Sequence, residues 1–64
     1  MCEANAYLKK QNGESILLME NVFCLKPEGS SLLLKNIFGE QKVVDAEIHQ
    51  ISLMEHKILL ESNE

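Results

Sequence analysis

Apolar and polar residues alternate along short segments of this chain, and turn-forming residues separate the segments. A period of two is typical of β-strands, because successive side chains point to opposite faces of a sheet. The clearest turn signals are Asn12-Gly13, which suits a tight type I′ hairpin, Pro27-Glu28-Gly29-Ser30 and Gly39, while Glu55-His56 is weaker. The pattern predicts five strands: residues 2–9, 15–26 with an interruption near Glu20-Asn21, 31–38, 42–53 and 57–61.

The fourth predicted strand carries the most informative pattern. Apolar residues occupy every second position up to Ile48, and the apolar phase then slips by one residue, to Ile51 and Leu53. A one-residue slip at His49-Gln50 is what a β-bulge produces, and bulges bend strands in small closed sheets. Five short strands with a bulge therefore predict an all-β fold, as a small barrel or a strongly coiled sheet.

Several predicted strands are apolar on both faces, as in Ile16-Leu17-Leu18, Leu32-Leu33-Leu34 and Ile58-Leu59-Leu60. The chain of 64 residues is a single domain, 1–64, near the lower size limit for folding alone, and a small barrel has only one interior. A second apolar face that is left exposed to solvent favours association with other protein surfaces. We therefore expect a homodimer; the alternative is a thicker core packed by loops.

The charge balance is acidic and limits the classes of partner. Ten carboxylates stand against six basic residues, all of them lysine, for a net charge of −4. Proteins that grip phosphate backbones usually carry a basic stripe, often with arginine. Nucleic acid is therefore an unfavoured partner. The aromatic residues are Tyr7, Phe23 and Phe38, and we expect two of them to face the core or an interface rather than to stack on bases.

The two cysteines are too few for a disulfide framework, and no basic region followed by a long apolar run indicates a secretory signal. The longest apolar stretches are also far too short to span a membrane. These features predict a cytoplasmic protein with reduced thiols.

Candidate catalytic groups are sparse. No Ser-His-Asp or Cys-His spacing, glycine-rich phosphate loop or C-x-x-C zinc signature occurs, so the chain is predicted not to be an enzyme. His49 and His56 are candidate metal ligands, but lone histidines on a polar strand face or turn usually are not. Cys24 lies among apolar residues, and we expect a buried structural thiol there.

Cys2 differs from the other candidates by its position directly after Met1. Removal of Met1 leaves an α-amine and a thiolate on one residue, which close a five-membered chelate ring around a metal. With Met1 retained, its amine, the Cys2 amide nitrogen and the thiolate still chelate. Such donors suit Ni(II) or Cu(II), and thiolates also suit Cu(I) and zinc. The alternative is a core-facing cysteine that opens the first strand.

The opening Met1-Cys2-Glu3-Ala4-Asn5-Ala6-Tyr7-Leu8 resembles the start of the CooT-type nickel-binding proteins, accessory proteins of carbon monoxide dehydrogenase maturation. The resemblance continues through Pro27-Glu28-Gly29 and through the segments 36–42 and 52–58, so it covers nearly the whole chain. It implies a homodimer of small SH3-like β-barrels that binds Ni(II) through Cys2. It assigns no role to Cys24, His49 or His56.

The resemblance also implies a function in nickel handling. The expected partners are carbon monoxide dehydrogenase or its nickel-insertion machinery, and the alternative within the same resemblance is related nickel homeostasis in organisms that lack that enzyme. If Cys2 lies near a two-fold axis, two thiolates and two nitrogens converge there without a second motif. The competing hypotheses are a small β-barrel RNA-binding module, which the predicted fold permits, and a metal-free interaction module.

Overall fold

A computed structural model describes residues 3–63, and it contains six β-strands. They are β1 (Ala4–Lys9), β2 (Ser15–Glu28), β3 (Ser31–Asn36), β4 (Gln41–Val44), β5 (Ala46–Ser52) and β6 (Lys57–Ser62). The predicted all-β class is confirmed. Residues 3–63 include no helix of the length and apolar character that crossing a membrane requires.

The strand count differs from the five expected, because the predicted fourth strand breaks at Asp45 into β4 and β5. β4 pairs with β3, whereas β5 pairs with β6 at the other end of the sheet, so the chain must turn between them. Asp45 holds this turn: its backbone carbonyl accepts the Asn63 N–H at 3.2 Å, and its carboxylate accepts the Asn63 side-chain amide at 2.8 Å.

The strands form one sheet in the order β4-β3-β2-β1-β6-β5, in which only the β1–β6 pair is parallel. The edge strands β4 and β5 are not joined by a ladder within the described residues, so the predicted closed barrel is not formed by hydrogen bonding. The sheet instead coils until β3 and β5 lie against each other. The side chain of Asn63 bridges part of this gap, since it also donates to the Ser30 carbonyl at 3.3 Å.

A small apolar core fills the inside of the coiled sheet. Its eight buried apolar residues come from five strands: Ala6, Met19, Val22, Leu32, Leu34, Ala46, Ile58 and Leu60. On β3 and β6, which the sequence shows as apolar on both faces, burial alternates: Leu32 and Leu34 are buried beside the half-buried Leu33, and Ile58 and Leu60 are buried beside the half-buried Leu59. Leu34 and Leu60 are the largest completely buried side chains, and they occupy the middle of the core.

Two predicted irregularities in the strands are seen as bulges. The β5–β6 register shifts between Ile48 and Gln50, which confirms the bulge expected at His49-Gln50. β2 runs through its predicted interruption without a break, but Asn21 there has a φ of +57° and the β1–β2 register shifts beside it. The Asn21 N–H finds a partner in the side-chain oxygen of Asn5 at 3.3 Å. The long strand therefore bends around the core instead of ending.

The first hairpin differs from the type I′ turn that Asn12-Gly13 predicted. Gly13 has a φ of +92°, but Asn12 does not have the positive φ that a type I′ turn also needs. The loop is one residue longer: the Gly13 N–H donates to the Lys10 carbonyl at 2.9 Å, and the Lys10 N–H donates to the Glu14 carbonyl at 2.7 Å. The Asn12 side chain accepts the Glu14 N–H at 3.0 Å, which favours this wider turn.

Candidate functional site

The predicted metal ligand Cys2 lies outside the described residues, so its role stays a prediction. The residues that follow it in the chain, Glu3 and Ala4, line an open groove of about 300 Å³. The groove, called here the N-terminal groove, is formed by the start of β1, the middle of β2, the end of β5 and the turn before β6. Its lining includes Phe23, Cys24 and Leu53.

The N-terminal groove is mainly apolar and much of it faces solvent. Phe23 is 57% exposed and Leu53 is 80% exposed, and Ile48 and Ile51 on β5 are also exposed. Met54, beside the groove in sequence, is exposed as well. Such a cluster of large apolar side chains on a small domain is the kind of surface that a partner covers.

Cys24 and His56 both line the N-terminal groove. The Cys24 thiol is free and half-buried, so it is less enclosed than the buried structural thiol that the sequence predicted. His56 is exposed on the turn before β6 with a φ of +54°, and its carbonyl accepts the Asn5 N–H at 2.9 Å. His49 lies at the β5 bulge and does not line this groove.

Within residues 3–63, no three or more histidine, cysteine, aspartate or glutamate side chains are grouped closely enough to hold a metal ion. Cys24, His49 and His56 are therefore not assembled into a metal centre in the described part of the chain. The donors predicted at the start of the chain remain the candidate ligands.

A second exposed surface surrounds Phe38, and the sequence did not predict it. The third strand was expected to continue to Phe38, but β3 ends at Asn36 and residues 37–39 form a turn. Asn36 is 2% exposed, and its side-chain oxygen accepts the N–H groups of Phe38 at 3.1 Å and Glu40 at 3.0 Å. Its amide donates to the Glu40 carboxylate at 2.7 Å. The signal available in the sequence was an Asn three residues before Gly39, which has a φ of +85°.

The two phenylalanines are exposed on the single chain. Phe38 is 70% exposed and Phe23 is 57% exposed, so of the two expected locations, core or interface, neither ring occupies the core. Their burial at an interface stays a prediction. Tyr7 is half-buried, and the Lys57 ammonium lies 5.2 Å from the centre of its ring, which is cation–π distance.

Comparisons with known proteins match the chain along most of its length. The family model of the CO dehydrogenase accessory protein CooT matches residues 1–61. An uncharacterised protein of Methanocaldococcus jannaschii is 38% identical over 61 residues, which cover 95% of this chain and 98% of that protein.

A solved structure agrees with this match in both sequence and fold. It is a crystal structure assigned to CooT from Carboxydothermus hydrogenoformans, 41% identical, and the match covers 98% of this chain and 100% of that chain with a TM-score of 0.89. The resemblance inferred from the opening residues and the later segments is thus confirmed by sequence and by fold. The chain belongs to the CooT family of CO dehydrogenase accessory proteins.

Proposed function

We propose that this protein binds Ni(II) through Cys2 and handles nickel for CO dehydrogenase, its nickel-insertion machinery or related nickel homeostasis. The observation that carries the proposal is the position of Cys2, directly after Met1, in a chain that belongs to an accessory family of that enzyme. The nickel is cargo to be passed on. The proposed setting is the cytoplasm, where thiols stay reduced.

The chemistry of the donors suits this metal. Nitrogen donors in tetragonal arrangement favour Ni(II), and a thiolate adds a soft, strongly bound ligand. One chain supplies a thiolate and one or two nitrogens from its first residues, which is an incomplete set for four-coordinate Ni(II) whether or not Met1 is removed. Two copies related by a two-fold axis supply two thiolates and at least two nitrogens. The proposed active form is therefore the homodimer.

The N-terminal groove supports this dimer. Glu3 and Ala4 line the groove, and Cys2 is the residue directly before Glu3. Neighbouring Cα atoms are only about 4 Å apart along a chain, so an interface that covers the groove reaches close to Cys2. The exposed side chains of Phe23 and Leu53 supply the apolar area that such an interface needs. In this arrangement, the association of two chains both buries the groove and brings the two Cys2 residues together.

We predict that Leu53→Asp converts the dimer to a monomer and weakens nickel binding in parallel. Leu53 is 80% exposed in the single chain, so the substitution leaves the fold intact, whereas a carboxylate trapped at an interface is strongly unfavourable. Multi-angle light scattering at micromolar protein measures the mass, and a competition titration with a coloured chelator measures the nickel affinity.

Val43→Asp is the matched control for this substitution. Val43 is also an exposed apolar residue, but it lies on the edge strand β4 and does not line the N-terminal groove. It should leave both the mass and the nickel affinity unchanged. A Leu53→Asp protein that stays dimeric shows that the interface lies elsewhere.

A further inference from the structure

The surface around Phe38 is a second groove, of about 310 Å³, in which apolar and charged side chains meet: the Phe38 ring and Leu17 on β2 line it together with Glu20, Glu40 and Lys42. It shares no lining residue with the N-terminal groove. A dimer that forms through the N-terminal groove therefore leaves this second surface exposed, once on each subunit. We call it the Phe38 surface.

The Phe38 ring is presented by a rigid turn. The buried side chain of Asn36 accepts the backbone N–H groups of Phe38 and Glu40 and donates to the Glu40 carboxylate, and the Gly39 N–H donates to the Asn36 carbonyl at 3.2 Å. Ordering an exposed loop is part of the cost of binding, so a turn that is already fixed favours association. Aromatic side chains held in this way are typical anchors of protein interfaces.

The charges around the ring select the kind of partner. Glu20 and Glu40 are exposed carboxylates at its rim. Lys42 is the basic residue of the lining, and its ammonium group donates to the Leu18 carbonyl at 3.3 Å. Anionic partners, such as nucleic acid or an acidic lipid surface, meet two carboxylates here in a chain of net charge −4. The complementary partner is a protein surface with an apolar cleft and a basic rim.

We propose that the Phe38 surface is the docking site for the protein that receives the nickel, with the Phe38 ring in an apolar cleft and Glu20 and Glu40 facing lysine or arginine side chains. The proposal rests on the proposed function, which makes nickel-free CO dehydrogenase the partner. It separates the two tasks of the molecule: the N-terminal groove assembles the dimer and the metal site, and the Phe38 surface recognises the recipient.

The test uses nickel-free CO dehydrogenase from the same organism as the immobilised probe and the full-length nickel-loaded protein as the analyte. Phe38→Ala should weaken binding by about tenfold or more, as loss of an aromatic anchor does. The matched control is Val43→Ala, because Val43 is 63% exposed and lines neither groove, and it should bind within about twofold of the wild type, as residues outside a hot spot do. Glu20→Lys should slow association and reduce its dependence on salt.

Three results would overturn the docking site. They are absence of binding by the wild type, equal binding by Phe38→Ala, and a change of Phe38→Ala from dimer to monomer, which would make the surface an interface between copies. The nickel content of each variant is measured alongside. Phe38→Ala should load nickel like the wild type, so a defect in docking and a defect in nickel binding are read separately, and a wild type that fails to load nickel contradicts the proposed function instead.

Discussion

The Cys2→Ser variant will bind nickel far more weakly than the wild type and will lose the near-ultraviolet charge-transfer absorption expected of a Ni(II) thiolate site. Replacement of residues that only support metal ligands typically costs 10–100-fold in affinity, so loss of the ligand itself should cost at least about a hundredfold. Serine keeps the size of the side chain but offers a hydroxyl that does not ionise near neutral pH. The fold should be unaffected, because the core is built from residues 6–60.

Cys24→Ser is a demanding control for this experiment. The Cys24 thiol is free and lines the N-terminal groove. If Cys24 also supplied a thiolate to the nickel ion, Cys24→Ser would weaken nickel binding. The account predicts that Cys24→Ser keeps both the absorption and the affinity. His49→Ala and His56→Ala should also bind like the wild type. If one of these histidine variants loses nickel while Cys2→Ser retains it, the assignment of the site is wrong.

Nickel binding should also weaken as the pH is lowered. The proposed ligands are a thiolate and a free amine, and each must lose a proton before it binds the metal, so protons compete with nickel. The apparent affinity of the wild type should therefore fall continuously from pH 8 to pH 6. Affinity that is independent of pH over this range is inconsistent with thiolate coordination.

Leu60→Ala will be strongly destabilising. Leu60 is completely buried in a core that has eight buried apolar residues among those described, and Leu→Ala changes at such positions cost about 2–5 kcal/mol. A chain of this size has a total stability of roughly 3–10 kcal/mol at the usual value per residue, so the variant should lose a large fraction of its free energy of unfolding. Urea unfolding, followed by circular dichroism, measures the difference.

Leu17→Ala is the matched control for the core substitution. It deletes the same atoms, but Leu17 is 49% exposed and lies outside the N-terminal groove, so dimerisation should not contribute. Burial of a whole leucine side chain is worth about 1.5–3 kcal/mol, and a half-exposed one should lose about 1 kcal/mol. Protein concentration must be the same in all samples, because dimerisation stabilises the folded state. Equal losses for both variants would show that Leu60 is not at the centre of the core.

The sequence predicted those parts of the fold that local patterns determine. The bulge at His49-Gln50 was visible because the apolar phase slips there by one residue, and the turns at Gly29 and Gly39 were visible because each needs a positive φ. The break at Asp45 was missed, since the alternation of Val44 and Ala46 continues across it. Only the pairing of β4 with β3 and of β5 with β6 requires a turn at that position.

The surfaces were harder to predict than the strands. The apolar character of a residue such as Phe23 or Phe38 does not tell whether it lies in the core or on the outside of a coiled sheet. That depends on the strand order, which includes the parallel β1–β6 pair between residues more than 50 positions apart. The proposed metal site differs from these surfaces, because the sequence indicated its ligand whereas that ligand lies outside the described residues. Cys2 was recognised from its place in the chain and from the family resemblance, and its role stays a prediction.

Native mass spectrometry of the wild type with added Ni(II) shows whether the two Cys2 residues share one metal ion, because it counts chains and metal ions in the same particle. We expect a species of two chains and one nickel ion, which is half a nickel per chain, and we expect the Cys2→Ser protein to give two chains with no nickel. A wild type that binds nickel as a monomer, or that takes up one ion in each chain of the dimer, would contradict a shared site at the two Cys2 residues.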